Sequence, residues 1–138
     1  MQRKIARENA FILLFESVCK SDETAEEIFV KATETRGLEV DDFVKTVFFG
    51  AYENRDKIDA AMEKHLVGWK KSRVSPVSRA ILLLAGYEVL FAPDIPGRVS
   101  INEAVELTKK FDDEKARPFV NGVLNSVKNK LEADGKIK

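Results

Sequence analysis

Apolar residues recur at three- and four-residue intervals along the 138-residue chain, and no segment alternates convincingly with the period of two that marks a strand. A first helix is predicted over about Arg3–Cys19, with Ala10, Phe11, Leu14, Phe15 and Val18 on one face. Ile12 and Leu13 widen that face until the helix has two buried sides. In SDETAEEIFVKATETRG, Thr24 and Glu27 have capping-box spacing and Gly37 supplies the stop. A long helical region opens near Asp41 and Asp42 and turns Val44, Val47, Phe48 and Ala51 inward. It runs on through Ile58, Met62 and Leu66 with a kink near Asn54.

The basic connector GWKKSR follows, and its Trp69 region is a candidate short helix. Ser75 is placed to cap the next helix, with Pro76 in its first turn and Pro93 beyond its end. The apolar density from Ala80 to Leu90 makes this the most buried element. In SINEAVELTKKF, Ser100 and Glu103 form a second capping box ahead of Ala104, Leu107 and Phe111. Pro118 marks the last helix, whose stripe is Phe119, Val120, Val123, Leu124, Val127 and Leu131, and ADGKIK frays. The expected fold is all-α: a six- or seven-helix bundle forming one domain over 1–138, with helical subdomains at about 1–66 and 67–138.

Charge alters this picture locally rather than in total. Lys plus Arg number 23 and Asp plus Glu number 23, yet the signs are segregated. Residues 1–20 carry four cations and two anions, residues 21–63 five and twelve, and residues 64–138 fourteen and nine. Two basic segments flanking an acidic one suit a fold with a cationic face toward a polyanion, or simply a solvated helical surface. The single cysteine, Cys19, lies in an apolar stretch and is expected to be a buried structural thiol. The charged start MQRKIAREN is not a signal peptide, and AILLLAG is too short to span a bilayer. A cytoplasmic protein without a membrane segment is expected.

Catalytic chemistry has little to stand on. The one histidine, His65, shares a face with Ile58 and Met62, and it lies too far from Cys19 in sequence to suggest a zinc site. No phosphate-cradling glycine loop is present. Glu26 with Glu27, and Asp112 with Asp113, lie near helix starts, where acids favour the dipole. No enzyme, metal or cofactor is expected.

The segment KARPFVNGVL breaks the electrostatic rule that those acids obey. A helix start carries unpaired N–H groups and about half a positive charge, so Lys115 and Arg117 there are unfavourable by about 0.3–1 kcal/mol each. An anion at the site reverses the balance: a phosphate accepts from the backbone and pairs with both cations. Phe119 is placed to stack an unpaired base and Asn121 to read a base edge. Gly122, costly inside a helix, is expected to allow close helix packing.

SINEAVELTKKF and PFVNGVLNSV together resemble the C-terminal signature of the NusB family. RKIARENAFILLFE resembles its first helix, and RAILLLAGYEVLF followed by DIP its central helix. The resemblance implies a non-catalytic, all-helical protein that binds boxA RNA with the ribosomal protein NusE and joins the RNA polymerase elongation complex through other Nus factors. It implies RNA contacts at Arg3, Lys4 and Arg7 and at Lys115, Arg117, Phe119 and Asn121. It implies a NusE contact around Phe15 and Ser78, and a second copy of the chain is an allowed partner. Gln2 and Ile5 interrupt a cation cluster that many members have denser, Ser78 stands where an acid is common, and Asp112 and Asp113 follow Phe111 where glycine is frequent. Two other readings remain at this point. One is the NusB-like RNA-binding domain of a ribosomal-RNA cytosine methyltransferase, which requires a longer chain. The other is a self-association module that ignores RNA.

Overall fold

The computed structural model describes residues 1–66 and 73–136; the expected Trp69 helix and most of the GWKKSR connector lie outside them. Seven α-helices and no strand are found among the described residues. They are α1 (Arg3–Cys19), α2 (Ala25–Val30), α3 (Asp42–Glu53), α4 (Arg55–Glu63), α5 (Pro76–Phe91), α6 (Gly97–Phe111) and α7 (Ala116–Ala133). None of them is long and apolar enough to cross a membrane.

Local sequence sets most of the boundaries. Thr24 and Glu27 make the full reciprocal capping box of α2, Asp41 caps α3, and Ser75 caps α5 with Pro76 in its first turn. Asn54 separates α3 from α4, its side-chain amide donating to the Gly50 carbonyl at 2.8 Å. Past α2 the backbone widens into a π-helical turn, Lys31–Thr35, before Gly37 takes the left-handed conformation at φ +68°. The periodicity of the sequence contains no sign of that widening.

α5 lies at the centre, packed against α1, α3, α4, α6 and α7, and its residues from Ala80 to Gly86 are all buried. Two glycines set the distance to its neighbours. A Cβ on Gly86 would lie 2.7 Å from Ile58 Cγ2 and 2.9 Å from Met62 Cε, and one on Gly50 would overlap the Tyr87 ring. The core runs without interruption from Ala6 on α1 to Val127 on α7.

Three expectations fail for tertiary reasons. Ser100 does not cap α6, which begins three residues earlier; it is buried and donates to Glu88 at 3.1 Å. Cys19 is exposed, because the last residue of α1 projects beyond the apolar stripe. Gly122 is exposed too, and a Cβ there would meet nothing within 4 Å, so it is not a packing contact.

Candidate nucleic-acid interface

Arg3 and Lys4 are exposed at the start of α1, which has no side-chain cap and no acid in its first turn. The Arg3 guanidinium lies 4.0 Å from the centroid of the Phe43 ring, a cation–π contact that holds the cation at the surface. Arg7 is different. Only 5% exposed, it donates through Nε to both Glu88 oxygens at 3.1 Å and through Nη2 to Oε1 at 2.8 Å. With Ser100 donating to the same carboxylate, this cluster joins α1, α5 and α6 from within. The structure therefore gives Arg7 a bracing position beneath Arg3 and Lys4.

The start of α7 carries Lys115, Arg117, Phe119 and Asn121 but divides them: Arg117 and Asn121 line one groove, while Lys115 and Phe119 lie on another side of the helix. Lys115 and Asn121 are exposed, while Arg117 and Phe119 are half-buried, Phe119 packing on the core. The helix begins at Ala116, two residues before the proline that marks it in the sequence. Its amides are already engaged: Lys115 N donates to Asp113 Oδ1 at 3.1 Å, Ala116 N to the Asp113 carbonyl at 2.9 Å, and Arg117 N to the Glu114 carbonyl at 3.2 Å. Pro118 has no N–H. The expected backbone cradle for a phosphate is thus filled by the preceding loop, and an anion here would be held by side chains.

The same loop explains how cations are tolerated at a positive helix end. Asp113 and Glu114 sit immediately before it, and Arg117 pairs with Glu114 at 3.2 Å. Asp112 turns the other way. Its Oδ2 accepts from Ser75 Oγ at 2.9 Å and from Ser78 Oγ at 2.6 Å, so the α6–α7 loop is pinned to the start of α5. Ser78 is only 2% exposed and presents no surface of its own; the carboxylate it donates to, Asp112, is half-buried. An aromatic run, Phe15 to Phe11 to Phe111 at 6.1 and 4.9 Å between centroids, leads along α1 to this loop.

Between the two basic starts lies α6, which the sequence reading left out of the site. One wall of a cleft beside α1 is Glu103, Glu106, Leu107, Lys109 and Lys110, facing Lys4, Arg7 and Glu8. A second, more open groove has Asn102, Val105 and Glu106 opposite Arg117, Pro118 and Asn121. Lys109 and Lys110 were visible in the sequence, but only their position beside α1 gives them relevance.

Such a fold defines a class, the all-helical bundles, here with exposed cations at the starts of α1 and α7. Comparison with known proteins narrows the class. A profile of the NusB family matches residues 4–129. The transcription antitermination protein NusB of Bacillus licheniformis is 46% identical over 132 residues, covering 96% of this chain and all of that protein. The NusB structure from T. maritima superposes with a TM-score of 0.81 at 33% identity, over 94% of this chain and 92% of that one. The crystal structure of antitermination factors NusB and NusE in complex with double-stranded RNA gives 0.81 at 30% identity, over 93% and 96%. The chain belongs to the NusB family.

Proposed function

We propose that this chain is a non-enzymatic transcription antitermination factor that binds boxA-type single-stranded RNA together with NusE and joins the RNA polymerase elongation complex through other Nus factors. It acts in the cytoplasm, where that complex assembles. The observation that carries this reading is the likeness, over nearly the whole chain, to a NusB solved with NusE and RNA. The exposed cations at the starts of α1 and α7 supply the chemistry.

In this proposal Arg3 and Lys4 contact phosphates at one end, and Lys115 and Arg117 at the other. Phe119 stacks on an unpaired base and Asn121 donates to a base. Arg7 orients the α1 start from below and contributes to RNA binding through that position. NusE docks along Phe15 and the Asp112–Ser78 cluster, where Ser78 acts by holding Asp112.

The test is a titration of boxA RNA, of a scrambled RNA and of a duplex, each with and without NusE over a salt series. The expected result is preferential boxA binding that weakens as salt rises and tightens with NusE. Equal affinity for boxA and scrambled RNA under both conditions overturns the proposal. Unchanged binding in Lys115→Glu/Arg117→Glu favours a protein–protein module instead.

A further inference from the structure

The starts of α1 and α7 do not adjoin; both face α6. Glu106 lines the cleft beside α1 as well as the groove beside α7, so one helix face forms a wall of each. An RNA that touches both starts has to cross this face. Arg7 is committed to Glu88, which leaves Lys4, Lys109 and Lys110 as the cations of the cleft, against Glu8, Glu103 and Glu106. Three ammonium groups face three carboxylates.

Two of those pairs are closed at rest. Lys110 donates to both Glu8 oxygens at 2.9 Å, and Lys109 lies 3.4 Å from Glu106. Both are exposed ion pairs of the kind that contributes little to stability and exchanges easily. Lys109 and Lys110 can therefore pass to incoming phosphates without loosening the fold, whereas the carboxylates left behind repel the same polyanion.

Resting on the RNA-binding reading above, we propose that the exposed face of α6 carries the RNA between the two basic helix starts. Lys109 and Lys110 are phosphate contacts on this path, and Glu106 is an opposing carboxylate that limits affinity. Glu106 thereby sets how much binding phosphate contacts alone can support, and so favours RNAs that also satisfy Phe119 and Asn121.

The experiment measures binding of a boxA RNA oligonucleotide and its scrambled counterpart to the full chain from low to moderate salt, with thermal melts to confirm folding. The variants are Lys109→Ala/Lys110→Ala, Glu106→Gln and, as reference, Lys115→Ala/Arg117→Ala. The expected result is a loss of about tenfold or more at low salt for the α6 lysine pair. The steepness of its logarithmic salt dependence falls by about 1.4, as two contacts to a single strand imply. Glu106→Gln should bind both RNAs several-fold tighter and discriminate less between them. Should the lysine pair match the wild type in affinity and salt slope while the α7 pair loses both, the α6 path is wrong and the RNA-binding reading stands. Should Glu106→Gln leave affinity and discrimination unchanged, the role of the carboxylate is wrong. Salt-independent or absent RNA binding by the wild type overturns the reading and this inference together.

Discussion

A guanidinium shielded from water and bonded three times to one carboxylate cannot be withdrawn cheaply. Removing either partner of Arg7–Glu88 leaves the other charge buried, a change that costs about 3–5 kcal/mol. Arg7→Ala is therefore expected to lower the urea midpoint strongly, and the double variant Arg7→Met/Glu88→Leu to recover most of the loss. A single variant within about 1 kcal/mol of the wild type contradicts the bracing role assigned to this pair. Gly122 makes the opposite case. With open space around its missing Cβ, Gly122→Ala should stabilise α7 by about 0.5–1 kcal/mol, read as a raised Tm. If RNA also approaches the backbone there, the same variant binds boxA RNA more weakly despite its better fold.

Among the helices, what could be read from sequence followed the range of the interaction responsible. Caps at Thr24 and Ser75 depend on residues three apart, and both were in view, whereas Asp41 was legible only as the place where α3 opens. Apolar stripes depend on residues three and four apart, and they placed the buried faces of α1, α3, α5 and α7. Ser100 had the same cap spacing as Thr24 but a partner twelve residues upstream, Glu88, which no local rule supplies. Asp112 likewise looked like a dipole-favouring acid, while its partners lie 34 and 37 residues back. The two basic patches were legible as composition; that α6 stands between them was not, since it follows from packing alone.

The Asp112 latch yields a prediction at this scale. Asp112→Ala takes an acceptor from two hydroxyls, one of them buried, and should cost about 1–3 kcal/mol. The loss should concentrate at the α6–α7 loop, where amide hydrogens of residues 113–117 exchange faster than in the wild type. Uniform protection across that loop argues that Phe111, packed against Phe11 at a tilt, holds it alone.

At the scale of the molecule, a single helix organises the rest. α1, α3 and α4 bury their stripes against α5 from one half of the chain, and α6 and α7 do so from the other. A peptide of residues 1–66 therefore lacks the surface its core requires. It is expected to give a broad, non-cooperative melt by circular dichroism, in contrast to the sharp transition of the full chain. A cooperative melt in the fragment means that the N-terminal helices pack as an independent unit.

The central place of α5 also has a consequence in time. During synthesis α1, α3 and α4, which pack against this helix, emerge before it does. Phe48 must wait, uncovered, until synthesis reaches Phe91, about 40 residues further on, an interval of roughly 2–8 s at ordinary elongation rates, and Val44, Leu14 and Leu13 wait longer. Over that interval the nascent chain is an apolar surface in search of a ligand, and its first stable partner is its own next helix.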